Sequence, residues 1–211
     1  MRRIEIPYVA PSLELDSRIV IVGSSGNLRG SNLGAEIDSY SDVIRFNRAP
    51  TDGFGESVGS RTTLRVSNNH VFSNVDITAE GYTNQPANFM KDLRNERILY
   101  IAPDTNPWNN RGTNTHSSNE LFLFNYGAVP HLKSELGLDS EKQLTVGAIT
   151  VGLCALAGIV PTLAGFDLQP APRTHYWENR PENPGATHGI SVEQAWLCRL
   201  KNDGKIIILG E

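Results

Sequence analysis

Short apolar runs rich in β-branched residues alternate with helical patterns along most of the chain. The clearest run, Ile19-Val20-Ile21-Val22, is followed by a loop of small residues and then by a helical pattern. Strands separated by helices are typical of an α/β fold, in which a mostly parallel sheet carries helices on both faces. The pattern predicts strands at 18–22, 42–46, 63–66, 98–102, 160–164 and 205–209, and helices at 32–38, 87–94, 119–136, 146–157 and 192–201.

The ends of these strands predict where a ligand would bind. Open parallel sheets bind ligands in the crevice beyond the carboxyl ends of their strands. The segments 23–30, 47–50 and 165–167 each follow a predicted strand. We therefore expect these three loops to converge on one cleft.

Composition and charge narrow the class of protein. The chain has 211 residues, and we expect residues 1–211 to form a single domain with a substantial core. A hydrophobic fraction of 39% and a charged fraction of 20% are ordinary for a globular protein. The net charge of −4 gives no broad basic field, which argues against nucleic acid or an anionic membrane as the main partner.

No segment has the pattern of a signal peptide or a membrane anchor. The N-terminus, MRRIEIP, is charged and lacks an apolar region. The longest apolar run, 146–157, is shorter than the about 20 residues that cross a bilayer. Because this run is apolar on nearly every side, it predicts a buried helix.

Four motifs, in a fixed order, carry a resemblance to a known family. The sequence IVIVGSSGNLRGSNLGAEIDSYSDVIRFNRAP, followed by VGSRTT, resembles the large sialylmotif of the eukaryotic-type sialyltransferases. Leu144-Thr145-Val146-Gly147 with the later Gly165-Phe166 resembles the small motif, and His175-Tyr176-Trp177-Glu178 resembles the third. His188 and Glu193 have the His-x4-Glu spacing of the very small motif. The resemblance implies a Rossmann-like fold, a variant of the GT-A glycosyltransferases.

The same resemblance implies an activity and a set of site residues. These enzymes transfer sialic acid from CMP-sialic acid to a glycan hydroxyl, with inversion and without a metal. By resemblance, His188 is the general base and His175 donates a hydrogen bond to the phosphate; histidine suits both tasks near neutral pH. The residues expected to bind the CMP-sugar are Ser25, Asn27, Asn47, Thr145, Gly147, Gly165, Tyr176 and Glu178. Ser24 and Leu144 depart from the family, where asparagine and proline are common.

Some residues near these motifs have ordinary structural explanations. Arg45 and Arg61 are expected to form structural ion pairs, and Glu178 and Glu193 to orient their neighbours. Thr145 could be a plain helix cap, or a hydroxyl that binds the donor carboxylate beside free backbone N–H groups. The remaining histidines are interpreted as structural: His70, His116 and His131.

The metal and the compartment are inferred from patterns that the sequence lacks. No Asp-x-Asp pair occurs, so we expect no metal and no cofactor besides the donor, whose single phosphate could be held by hydrogen bonds and a histidine. The positions that match the family's disulfide are Ile19 and Gly158, so neither Cys154 nor Cys198 is expected in a disulfide. No Asn-x-Ser/Thr acceptor occurs either. These features favour a soluble microbial or viral member in the cytoplasm, with the Golgi as the location only if an anchor lies outside this chain.

Two alternatives to sialic acid transfer remain open at this stage. The first is a transferase of the same type that uses CMP-Kdo, because the motifs would not distinguish the two 2-keto sugar acids. The second is a non-catalytic module that binds a nucleotide or a glycan, against which His175 and His188 argue. The acceptor is not predicted, since acceptor contacts would come from irregular segments such as 103–118. The segment 167–187 is expected to be a lid over the donor.

Overall fold

A computed structural model describes residues 2–47, 49–68, 96–101, 120–138, 141, 143–169, 175–177 and 190–210. The strands in chain order are β1 (Arg3–Glu5), β2 (Val9–Ala10), β3 (Glu14–Asp16), β4 (Ile19–Val22), β5 (Asp42–Phe46), β6 (Leu64–Ser67), β7 (Arg97–Tyr100), β8 (Glu120–Phe124), β9 (Thr162–Ala164) and β10 (Ile207–Ile208). The helices are α1 (Gly34–Asp38), α2 (Gly55–Val58), α3 (Val129–Glu135), α4 (Val146–Leu156) and α5 (Ile190–Asn202). Short 3₁₀ turns span Gly26–Leu28 and Tyr126–Ala128.

Eight strands form one sheet in the order β10-β9-β4-β5-β6-β7-β8-β2. Every neighbouring pair is parallel except β2 with β8, which is antiparallel. β1 and β3 form a separate two-stranded antiparallel sheet. The predicted α/β class with a mostly parallel sheet is confirmed.

Both faces of the sheet are buried, and β4 shows how one strand serves two cores. Its Ile19 and Ile21 pack into a cluster with residues of α3, α4 and α5. Its Val20 and Val22 face the opposite cluster, which contains residues of α1 and α2. Since side chains alternate across a strand, a run that is apolar at every position fits a strand covered on both sides.

All six predicted strands are found, with shifts of one or two residues at most of their ends, and one predicted helix is wrong. The strand at 42–46 is found at those bounds, and the helix at 146–157 is found as the buried α4. The helix predicted at 119–136 is instead strand β8, a 3₁₀ turn and the short helix α3. The apolar run Leu-Phe-Leu-Phe alternates between buried and half-buried positions, as in a strand, and a short apolar run does not distinguish the two periods. The helix predicted at 87–94 lies outside the described residues.

Both cysteines are free thiols, as the sequence predicts. Cys154 is buried on α4, and burial raises the pKa of its thiol to about 12. Cys198 on α5 is half-buried, and its thiol donates to the Leu168 carbonyl at 3.5 Å. Among the helices of the described ranges, none is both long enough and apolar enough to cross a bilayer.

The two thiols should differ in reactivity. In the native protein at neutral pH, we expect Cys198 to react with a disulfide reagent well before Cys154, because the thiolate is the nucleophile and burial disfavours it at Cys154. Denaturation without reductant should expose two thiols per chain. Finding no thiol in the denatured, non-reduced protein would contradict the structure.

Candidate active site

The loops that follow β4 and β9 run side by side beyond the ends of these paired parallel strands. The N–H of Gly23 donates to the Ala164 carbonyl at 2.7 Å, and the N–H of Ser25 donates to the Gly165 carbonyl at 3.1 Å. The strand pairing therefore continues past the strands into both loops. This confirms the expected convergence of the segments 23–30 and 165–167.

Glycine at positions 23 and 165 allows the two loops to approach this closely. A Cβ at Gly23 would lie 2.3 Å from the Gly165 carbonyl oxygen. Gly165 has a φ of +69°, and a Cβ there would lie 2.3 Å from Cδ1 of Leu28. Both positions exclude a side chain, so Gly165, expected as a binding residue, has a clear structural role.

A carboxylate that the motifs do not point to connects these loops. Oδ1 of Asp167 accepts hydrogen bonds from Ser25 Oγ at 2.6 Å and from Asn27 Nδ2 at 3.0 Å. The Ser25 Oγ also accepts from the Asn27 N–H at 3.1 Å. The hydroxyl proton of Ser25 is thus bound to the protein's own carboxylate. The signal that could have identified Asp167 is an acidic residue in the segment 165–167, which follows a strand that ends at the expected cleft.

Asn47 lies at the end of the neighbouring strand, β5, in a left-handed conformation with a φ of +44°. Asparagine tolerates this conformation better than most residues. Its Oδ1 accepts from the Asn68 N–H at 3.1 Å, and its carbonyl accepts from Arg65 at 3.0 Å. Within the described residues, its amide nitrogen has no acceptor. That nitrogen is therefore a donor that a ligand could use.

Tyr176 joins the third predicted motif to the loops after β4 and β5. Its N–H donates to the Ser24 carbonyl at 3.0 Å, and its carbonyl accepts from Arg29 Nε at 2.8 Å. Its hydroxyl donates to the Pro50 carbonyl, which brings in the loop after β5. The side chain is fully buried against Phe54, and burial raises the pKa of the hydroxyl. The structure therefore places the Tyr176 side chain behind the site, where it positions the loops, instead of on a surface that a substrate could contact.

His175 lies next to Ser25, because the two residues form an isolated antiparallel bridge. Its imidazole stacks on the indole of Trp177 with ring centroids 4.3 Å apart and ring planes at 4°. Trp177 in turn contacts the Tyr176 ring edge-on at 4.7 Å. The stack fixes the plane of the imidazole beside the first loop.

The N-terminus of α4 is capped by a second carboxylate. Thr145 Oγ1 accepts from the Ala148 N–H at 3.0 Å and donates to Glu193 Oε2 at 2.7 Å. The Thr145 N–H donates to Glu193 Oε1 at 2.7 Å, and Glu193 is buried in the first turn of α5. Thr145 was a candidate for binding the donor carboxylate, but Glu193 engages both its N–H and its hydroxyl. The expectation that Glu193 orients its neighbours is confirmed.

Val146 and Gly147 supply the remaining polar groups at the start of α4. The first N–H groups of a helix have no acceptor within it. Among the described residues, none accepts from the N–H of Val146 or Gly147. A Cβ at Gly147 would lie 3.3 Å from the Phe166 ring, so this helix start packs against the loop after β9.

Arg45 and Arg61 have structural roles, but in the described part of the chain their side chains bond to backbone carbonyls instead of forming ion pairs. Arg45 donates to the carbonyls of Arg61 at 2.9 Å and Val58 at 2.6 Å. Its burial lowers the pKa of its guanidinium to about 10. Arg61 donates to three carbonyls of the segment 38–41. Within the described residues neither arginine forms an ion pair, which corrects the expectation for both.

His188 and Glu178 lie outside the described residues, as do His70, His116 and most of the expected lid. His131 lies on α3 and contacts the Tyr8 ring edge-on, with ring centroids 5.8 Å apart, which is consistent with a structural role. In the part of the chain that the structure describes, no group of three or more His, Cys, Asp or Glu side chains could hold a metal ion.

Comparison with known proteins finds similarity to glycosyltransferases. Residues 14–102 match the sequence model of Glycosyltransferase family 29 (sialyltransferase). The matched range contains β3 to β7 and two of the three converging loops. The resemblance to sialyltransferases that the sequence predicts is therefore confirmed.

Individual relatives agree with this match. The chain is 51% identical over 59 residues, 28% of its length, to CMP-N-acetylneuraminate-beta-galactosamide-alpha-2,3-sialyltransferase 2 of Mus musculus. It is 41% identical over 85 residues, 40% of its length, to Beta-galactoside alpha-2,6-sialyltransferase 1 of Homo sapiens. These matches span only 17% and 18% of the two relatives.

The fold is similar to that of a solved mammalian sialyltransferase. That crystal structure, in complex with Gal-beta-1-3GalNAc-ortho-nitrophenol, superimposes with a TM-score of 0.67 and 20% sequence identity. The similarity covers 92% of this chain and 69% of the mammalian one. The sialyltransferase fold thus extends well beyond the segment in which the sequences match.

The contact between the two glycine-containing loops can be tested by Gly23→Ala. We expect the added methyl to force the loops apart, to lower stability by about 1–3 kcal/mol and to weaken CMP binding. Thermal unfolding and calorimetric titration with CMP measure the two effects. Gly55→Ala is the matched control, because a Cβ at Gly55 would meet nothing within 4 Å. A Gly23→Ala protein that melts and binds like the unmodified chain would show that the close approach is unimportant.

Proposed function

We propose that this chain is the catalytic unit of a glycosyltransferase that moves sialic acid from CMP-sialic acid to a glycan hydroxyl. The observation that carries the proposal is the convergence of three strand-end loops on the third-motif segment. Tyr176 is bonded to the loops after β4 and β5, and His175 is paired with Ser25 beside the loop after β9. The first two of these loops lie in the segment that matches the family model.

The described polar groups suit the parts of the donor. The amide nitrogens of Asn47 and Asn27 would bind the nucleotide. The N–H groups of Val146 and Gly147 would bind the sugar carboxylate at the positive end of α4, in place of Thr145. His175, held in plane by Trp177, would donate a hydrogen bond to the phosphate. Each anionic group of the CMP-sugar would thereby meet a hydrogen-bond donor of the protein that carries no negative charge.

The reaction proceeds as a single displacement. His188 removes the proton of the acceptor hydroxyl while that oxygen forms a bond to C2 of the sugar. The bond between C2 and the phosphate oxygen breaks, and the electron pair leaves on CMP, stabilised by His175. Attack from the face opposite the phosphate inverts the configuration at C2. The single phosphate of CMP develops less charge than a diphosphate, and no Asp-x-Asp pair occurs, so we propose that no metal takes part.

The identity of the nucleotide-sugar donor is the first property to test. With EDTA present, we expect the chain to bind CMP and to release CMP from CMP-sialic acid when a panel of glycan acceptors is supplied. CMP-Kdo, offered separately, should support slower release. Absence of CMP binding, or binding that disappears with EDTA, would refute the proposal; faster release from CMP-Kdo would change the assigned sugar.

Substitutions of His188 and His175 should have different effects on CMP affinity and on turnover. His188→Ala should lower turnover by about 10²–10⁴-fold with nearly unchanged CMP affinity, because a base for the acceptor matters mainly in the transition state. His175→Ala should lower both turnover and CMP affinity. His131→Ala is the matched control, since His131 lies on α3 and its ring contacts Tyr8. A His188→Ala enzyme with the unmodified transfer rate would refute the role of His188 as the base, whereas an unmodified chain that binds CMP but transfers no sugar would be a binding module.

A further inference from the structure

Asp167 offers a hydrogen-bond acceptor at the junction of the two loops. It is the third residue beyond β9, and its Oδ1 already accepts from Ser25 and Asn27. Within the described part of the chain, no hydrogen bond involves its second oxygen, Oδ2, and the residue is partly exposed. Oδ2 is therefore accessible to a ligand in the cleft.

The chemistry of a carboxylate limits which part of a nucleotide sugar can lie against Asp167. An ionised carboxylate only accepts hydrogen bonds, and it repels other anions. The phosphate and the carboxylate of a CMP-linked sugar acid are thus disfavoured at this position. Within the CMP part of the donor, the groups that can donate to Oδ2 are the ribose hydroxyls and the amino group of cytosine.

The position of Asp167 relative to His175 selects among these donors. Ser25 bonds to Asp167 through its side chain and pairs with His175 through its backbone. One residue, Ser25, therefore contacts both Asp167 and the segment proposed to bind the phosphate. In CMP the ribose is attached directly to the phosphate, whereas the cytosine amino group lies at the far end of the nucleotide. The ribose hydroxyls are the donors that fit this separation.

We infer that Asp167 is a specificity-determining residue for ribose, and that its Oδ2 accepts a hydrogen bond from the 2′-hydroxyl of CMP. Its Oδ1 at the same time holds Ser25 and Asn27 in place. An acidic residue that binds a ribose 2′-hydroxyl beyond a strand end is also found in dinucleotide-binding sheets of this architecture. The inference rests on the proposed use of a CMP donor, and adds that the site distinguishes ribose from deoxyribose.

The test compares the binding of CMP and 2′-deoxy-CMP by calorimetry in the presence of EDTA. The unmodified chain should prefer CMP by roughly 10- to 100-fold, the range expected for a hydrogen bond to a charged acceptor. Asp167→Ala should bind both nucleotides equally. Asp167→Asn keeps an oxygen for Ser25 and Asn27 but replaces the charged acceptor, so its preference should be reduced with little change in folding. Asp203→Asn, a change in the exposed turn after α5, should keep the full preference.

The outcomes separate this inference from the proposed function. If the unmodified chain binds neither nucleotide, the CMP-dependent function fails. If it binds CMP and 2′-deoxy-CMP equally, the function stands and the role of Asp167 is refuted. An unchanged preference in Asp167→Asn and Asp167→Ala would assign ribose recognition to another residue. Circular dichroism of each variant checks folding, and Asp167→Asn provides the decisive comparison if Asp167→Ala does not fold.

Discussion

The candidate site depends on the close approach of the loops after β4 and β9. Adjacent parallel strands normally diverge where their hydrogen bonding ends, but here the pairing continues from the Gly23 N–H to the Ala164 carbonyl and beyond. Because neither Gly23 nor Gly165 has a side chain, the two backbones pack directly against each other. This proximity lets the Asp167 carboxylate reach Ser25 and Asn27, residues about 140 positions away in the sequence.

The third segment of the site is attached through a buried aromatic residue. Tyr176 uses its N–H, carbonyl and hydroxyl to bond three separate parts of the large-motif segment. A buried tyrosine needs a partner for its hydroxyl, and the Pro50 carbonyl supplies one. With Tyr176 fixed, its neighbour His175 is held against Ser25 on one side and Trp177 on the other.

Protein carboxylates engage residues in two places where the sequence predicts contacts with an anionic CMP-sugar. Asp167 binds the side chains of Ser25 and Asn27, and Glu193 binds Thr145 at the start of α4. Two like charges in close contact are unfavourable, so the charges of the proposed CMP-sugar would be met elsewhere. The groups that remain are backbone N–H groups, asparagine amides and histidine, which agrees with a chain whose net charge is −4.

The sequence by itself determined the fold class, the approximate positions of six strands and the identity of the three converging loops, because each depends on local hydrophobic periodicity and on where small residues follow a strand. The helix predicted from the sequence at 119–136 was wrong. The apolar run there is compatible with a helix or a strand, and only its pairing with β7 shows that it is a strand. Only the tertiary structure decided that Ser25 and Thr145 bond to Asp167 and Glu193, that Tyr176 is buried, and that Arg45 bonds to carbonyls. These contacts join residues from 13 to 142 positions apart. Local patterns carry no information about such pairs, since the chain's long-range packing selects them.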